Sequence, residues 1–228
     1  MIRKWGGILS KEVGAFFNFN LNEKLFANLT EKQWNILNAA LEVFTEKGYS
    51  AATTSEIARK AGVAEGTIFR HFRQKKDILL ALLVPLLQNV VGPHAVNSLN
   101  QIIIEYQDQP TEDVLALILE NRYKLFVENQ KLLRLVITES QYHPELKDAL
   151  TKAVIYKSKE SFIKFIEVKQ RQGEIRQDIE AWALVRSLFG MLILYILSKG
   201  IFSEKEKVQN AKEEIKTIVE LFLHGARA

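Results

Sequence analysis

Cysteine is absent from all 228 residues, and only four prolines and eleven glycines punctuate the chain. The first absence excludes disulfides, thiolate metal ligands and cysteine nucleophiles, and it suits a reducing compartment such as the cytoplasm. The scarcity of helix breakers favours long helices. Long unbroken apolar runs are lacking too. The most apolar window, AWALVRSLFGMLILYIL at residues 181–197, is interrupted by Arg186 and stops short of the roughly 20 residues that a bilayer span needs. A buried helix, and no membrane partner, is the expectation there. The first residues, MIRKWGGILSKEVGAFF, are basic but hold no apolar core of a secretory signal.

Catalytic signatures are missing as well. There is no phosphate-binding loop, no G-x-G-x-x-G and no nucleophile elbow. His71, His94, His143 and His224 lie far apart, and none is read as standing with an acid or another histidine at metal-ligand spacing. The carboxylates between Asp108 and Asp113 fall at a proline-containing junction and read as helix caps. No enzymatic activity, metal or cofactor is expected.

What is present is ordinary apolar content, 47%, with 25% charged residues, enough for a buried core. The net charge of +4 is unevenly spread. Residues 1–78 carry 12 Lys/Arg against 8 Asp/Glu, while the remainder carries 19 of each. The whole excess lies in the first third, which suggests an anionic partner for that part.

Helical punctuation recurs along the chain. Thr30 and Glu31 open a helix over 31–47 in which Trp34, Leu37, Leu41 and Phe44 share a face, and Gly48 stops it. Thr53 with Glu56 forms a capping box for a short helix ending at Gly62, and a second short helix covers 65–71. A longer apolar helix follows Lys75, with a kink expected at Pro85. Further helices are read from Pro110 to residue 129, over 130–142, and over 145–172 to Gly173. Two more are expected near 178–199, capped by Asp178, and near 204–224, capped by Ser203 with Glu206. No strand alternation or internal repeat appears, so the class is all-α. Three regions are expected: an N-terminal extension over 1–29, a head over 30–76, and a helical bundle over 77–228.

Residues 53–72, TTSEIARKAGVAEGTIFRHF, have helix-turn-helix spacing. Ala58 is small where the second helix crosses, and Gly62 supplies the turn. Val63, Ile68 and Phe72 face the core. Glu65, Gly66, Thr67, Phe69, Arg70 and His71 then point outward, the face that meets base edges in such motifs. Polar residues also interrupt the apolar helices of the second half, as in a mostly apolar pocket with few orienting groups. They are Asn121 and Arg122, Glu139 and Tyr142, and Arg186, which is expected to be partly buried against an acid such as Glu139.

Over residues 34–80 the chain resembles the DNA-binding domain of tetracycline-repressor (TetR) family regulators. The resemblance is carried by AALEVFTEKGY, TTSEIA, AGVAEGTIFRHF and KKDIL. It implies a homodimeric transcriptional regulator with a three-helix head, a helical effector domain and dimerisation through the last two helices, about 178–199 and 204–224. It further implies a near-palindromic double-stranded DNA operator and a small-molecule effector, lipophilic in this reading, that releases a repressor. Thr54 would touch a phosphate, and Glu65, Gly66 and Thr67 would face bases. Phe69, Arg70 and His71 would straddle bases and backbone, and Lys75 would grip a phosphate. Two positions depart from the family pattern: Phe69 replaces the usual tyrosine, and Glu65 is acidic. A helical interaction module without operator binding, and a peripheral membrane protein using the aromatic-basic stretch, are the competing readings.

Overall fold

The computed structural model describes residues 29–200 and 211–226. The N-terminal extension, apart from Leu29, and the Ser203–Glu206 capping box lie outside the described residues. Eleven α-helices make up the described chain: α1 (Glu31–Lys47), α2 (Thr54–Ala61), α3 (Glu65–His71), α4 (Lys75–Leu86), α5 (Gly92–Glu105), α6 (Thr111–Glu128), α7 (Gln130–Ser140), α8 (Pro144–Leu150), α9 (Lys157–Arg171), α10 (Ala181–Gly200) and α11 (Ala211–Ala226). Among the described residues there is no strand, as the absence of alternation implied.

Local chemistry sets the first helix boundaries. The Gln33 N–H donates to the Thr30 hydroxyl at 3.3 Å, and the Gln33 side-chain oxygen accepts from the Thr30 N–H at 2.9 Å. This reciprocal cap satisfies two donors that the first turn leaves orphaned. The same box recurs at Thr53 and Glu56. At the other end of α2, Gly62 adopts φ 68°, and the Val63 N–H reaches back to the Ala58 carbonyl at 3.0 Å. A side chain there would strain the left-handed turn, so Gly62 sets where α3 can start.

Two helices depart from α geometry. A π turn over Leu87–Val91 follows Pro85 and leads into α5, and another over Thr151–Tyr156 joins α8 to α9. Pro85 lies inside α4, and Pro93 stands in the first turn of α5. Neither donates a backbone hydrogen bond, and the irregular turn falls between them. A Cβ on Gly92 would stand 2.5 Å from the Ala153 carbonyl oxygen, so only glycine admits the backbone of the second π turn. No helix was read from the sequence between residues 92 and 109, yet α5 covers Gly92–Glu105. Asp178 also differs from expectation. Its carboxylate takes the Arg176 guanidinium at 2.7 and 2.5 Å, and α10 opens instead on the Glu180 carbonyl.

The described residues fall into two compact units: 29–93 with Phe126–Val154, and His94–Leu125 with the described residues from Ile155 onward. The expected head, 30–76, lies wholly in the first unit, whereas the expected bundle is shared between both. In the first unit α1 packs on α2, α4 and α7, and α4 on α8. Leu37, Leu41, Phe44, Ile57, Ile68 and Leu79 form its interior. In the second, α10 packs on α9 and α11 around Phe162, Phe165, Ile166, Leu188 and Val219. Phe162 and Phe189 meet edge to face at 4.9 Å between ring centroids.

Helices Lys75–Glu105 and Ala181–Ser198 are long and apolar enough to cross a membrane by length and composition. The core helices of soluble proteins satisfy the same measure, and half of the apolar window of the first is buried.

Candidate nucleic-acid interface and effector groove

α3 divides cleanly into two sides. Ile68 is fully buried and Phe72 is 7% exposed, while Phe69 is 49% exposed. Glu65, Gly66, Arg70 and His71 are exposed as well, and Thr67 is half-buried. Two apolar anchors thus hold a two-turn helix whose other side presents an aromatic ring, a guanidinium and an imidazole. Among the described residues neither Arg70, nor Arg59 of α2, nor Arg73 just beyond α3, has an ion-pair partner, and all three are exposed. The sequence reading passed over Arg59 and Arg73, although their positions beside the motif were available as a signal.

Other cations of the head are already committed. Lys47 pairs with Glu56, and Lys60 with Glu42 at 2.7 Å and Glu46 at 3.3 Å. The Lys47 ammonium bonded to Glu56, with the Thr53 cap, holds the Glu56 carboxyl below the usual range. Bonds to Glu42 and Glu46 raise the Lys60 ammonium. Lys75, expected on a phosphate, is internally bonded. Its ammonium donates to the carbonyls of Tyr49 at 2.7 Å, Ser50 at 3.3 Å and Ala52 at 2.7 Å. It also stands 4.4 Å from the centre of the Tyr49 ring. Charge-assisted bonds to three carbonyls fasten the start of α4 to the loop between α1 and α2. That loop and α2 position α3, so Lys75 serves the geometry of the head.

Thr54 and Glu65 also meet each other. The Thr54 hydroxyl donates to the Glu65 carboxylate at 2.6 Å, tying the start of α2 to the start of α3. A hydroxyl has one proton to give, so in this arrangement Thr54 has none for a phosphate. Glu65 sits at the first position of α3, where the helix dipole favours a negative charge.

Tyr49 connects the head to α7 and α8 within the same unit. Its ring lies 5.4 Å from Phe44 and 5.6 Å from His143, both edge-on. Burial raises the Tyr49 phenol, with Glu139 and Asp77 adding to the shift. His143 does have an acid four residues back: its Nε2 lies 3.5 Å from Glu139. The expected Glu139–Arg186 pair is therefore replaced by a Glu139–His143 pair. Glu139 is buried in the first unit, whereas Arg186 is exposed in the second. Tyr142 is 73% exposed. Periodicity placed these residues on the right helices but carried no information on which helix faced which.

Only Asn121 and Arg122 of the expected effector residues come together. A groove of about 560 Å³ lies in the second unit, with Asn121, Ser98, Ile102, Tyr106, Leu117 and Tyr123 among its lining residues. Ligand sites commonly enclose roughly 300–1,000 Å³. Arg122 stands behind this wall and donates to the Ser98 hydroxyl at 2.6 Å and the Ala95 carbonyl at 2.8 Å. Burial pushes its guanidinium down to about 10. Ser98 lies on α5, a helix that the sequence reading did not include.

The fold and the first of these sites define an all-α protein of the helix-turn-helix class. Residues 36–82 match the model for bacterial regulatory proteins of the tetR family, and residues 115–225 match that for the C-terminal domain of AefR-like transcriptional repressors. The chain belongs to the TetR family of regulators. It is 49% identical over 51 residues to the fatty acid metabolism regulator protein of Bacillus subtilis, covering 22% of this chain and 26% of that one. It is 28% identical over 191 residues to the helix-turn-helix-type regulator YhgD of the same organism, covering 82% and 92%. The first curated relatives are thus matched over about a quarter of their length. The crystal structure of the regulator FadR of Bacillus subtilis in complex with stearoyl-CoA shares the fold, with a TM-score of 0.60 at 22% identity over 84% and 98% of the two chains. The family and these relatives are regulators of transcription, not enzymes.

Proposed function

We propose that the protein is a sequence-specific DNA-binding regulator of transcription, acting as a homodimeric repressor in the cytoplasm and released from its operator by a small lipophilic effector. The observation that carries this reading is the two-sided α3, anchored by Ile68 and Phe72 and leaving Phe69, Arg70 and His71 outward. Gly66 and Thr67 near its start let the backbone approach base edges, and Arg70 supplies a fork that fits guanine O6 and N7. Phe69 packs on a thymine methyl or a sugar, where a tyrosine would have offered a hydroxyl. Arg59 and Arg73 take over the phosphate contact assigned to Lys75 from sequence. Glu65 orders the head through Thr54 and is turned away from the bases.

One recognition helix spans too few base pairs for specificity, so two must sit about one helical turn, roughly 34 Å, apart on a near-palindrome. Exposed Ile193 and Leu194 on α10 and Leu221 on α11, beside the small exposed Ser187 and Gly190, support a dimer through these two helices. The groove in the second unit supports an effector site, and the fatty-acid and stearoyl-CoA connections of the relatives favour a lipophilic occupant. The test is a gel-shift on the DNA flanking the protein's own gene over a salt series. Specific binding that weakens steeply with salt is expected, and no specific complex at low salt would remove the reading.

A further inference from the structure

The Arg122 guanidinium is held by neutral acceptors alone. Its Nε and one terminal nitrogen both donate to the same Asn121 side-chain oxygen, at 3.1 and 2.5 Å. The remaining bonds go to Ser98 and the Ala95 carbonyl. Among the described residues no carboxylate pairs with it. Another cation withdrawn from solvent differs: buried Lys169 has Glu174 at 2.9 Å.

A guanidinium out of water is costly unless an anion or a full set of acceptors answers it. Four of its five N–H groups are answered here, but two of them converge on one amide oxygen. That edge, Nε with a terminal nitrogen, is the edge that grips a carboxylate bidentately. The amide that occupies it belongs to a residue lining the groove. Turning the Asn121 side chain therefore opens a carboxylate-shaped fork toward the cavity, beside the apolar Ile102 and Leu117.

We infer that the groove of the second unit selects an amphiphile with an anionic head, an aliphatic carboxylate, whose two oxygens replace the Asn121 amide oxygen on Arg122. This rests on the groove being the effector site and names the chemical class it takes. The apolar chain lies along Ile102, Leu117 and the Tyr106 and Tyr123 rings. Bulk attraction does not produce the preference, since the groove is lined by Glu105 and Glu120 as well as Lys124 and Lys212. The selection lies in a single fork.

The experiment is calorimetric titration of the full chain with decanoate and with decanol at neutral pH, where the acid is ionised. The acid is expected to bind at least about tenfold more tightly, the equivalent of one charge-assisted hydrogen bond. In Arg122→Gln the two should bind alike, and Arg122→Lys should restore part of the preference. Equal binding of acid and alcohol to the unaltered protein overturns the inference and leaves the groove as a neutral lipophilic site. A preference that survives in a folded Arg122→Gln moves the anion to Lys124 or Lys212 and overturns the assignment to Arg122. Absence of binding by either probe overturns the effector reading of the groove, and the inference with it.

Discussion

Among the described residues neither Arg70 on α3 nor Arg122 on α6 has a carboxylate partner, and the two teach opposite lessons. Arg70 is exposed, so water solvates it at little cost and its lack of a partner leaves it available to phosphate or a base edge. Arg122 is half-buried, and burial lowers its guanidinium to about 10, so the fold surrounds it with Ser98, Asn121 and a carbonyl. In the head, availability comes from exposure. In the second unit, on the proposed reading of its groove, it comes from an imperfect partner that a better one can displace.

The sharpest way to break the two-sided account of α3 is to alter each side in turn. Phe72→Ala removes a buried ring and should cost about 3–5 kcal/mol of stability, a large share of the total for a marginally stable fold. Phe69→Ala should leave the thermal unfolding midpoint nearly unchanged, within about 0.5 kcal/mol, while weakening operator binding. Calorimetry and gel-shift on both variants decide it. If both lowered stability equally, α3 would have no free face.

Lys75 and Arg70 extend the contrast to two cations of one head. Lys75→Met removes the donor of three carbonyl bonds and should destabilise by about 2 kcal/mol. Its salt slope of DNA binding should be unchanged, because no phosphate contact is lost. Arg70→Ala should be neutral for stability, weaken binding by roughly 1–3 kcal/mol, and lower the salt slope by about 1 if it meets a phosphate. A lowered slope with unchanged stability in Lys75→Met would return that residue to the phosphate.

The head was legible in the sequence because its determinants are local. Thr30, Gly48, Thr53 and Gly62 mark helix ends within four residues of the groups they satisfy, and α1 opens and closes where they predict. Ile68 and Phe72 follow from helical spacing. The carbonyl bonds of Lys75 were not legible because the acceptors lie 23 to 26 residues away, and no periodicity encodes such a contact. Glu139 was misassigned for the opposite reason: its partner, His143, stood one turn along the same chain, a local contact that was passed over. α5 was missed, and Gly92 at its start answers the close approach of the Ala153 carbonyl, a contact far along the chain that no local pattern encodes. Arg122 was found as a polar residue after an apolar run, but its bonds to Ser98 and the Ala95 carbonyl reach 24 and 27 residues back along the chain, where no local pattern points.

The smallest expected effect lies in the second unit, where a paired cation contrasts with Arg122. Buried Lys169 is bonded to Glu174, which also accepts from the Thr111 hydroxyl. The Thr111 and Lys169 bonds hold the Glu174 carboxyl below the usual range. A carboxyl depressed in the folded state binds fewer protons than in the unfolded chain. Its contribution is therefore complete above the ordinary carboxyl range and is lost as pH falls through the lowered value. Solvent reaches 40% of the Glu174 side chain, so the contribution should stay below about 1 kcal/mol. Urea unfolding at neutral pH should show Glu174→Gln less stable than the unaltered protein by that amount. The two curves should converge as the solution is made more acid. Arg122→Gln should show no such convergence, because among the described residues no acid partners that guanidinium. Parallel curves for Glu174→Gln at every pH would mean that Lys169 is held by burial and not by its carboxylate.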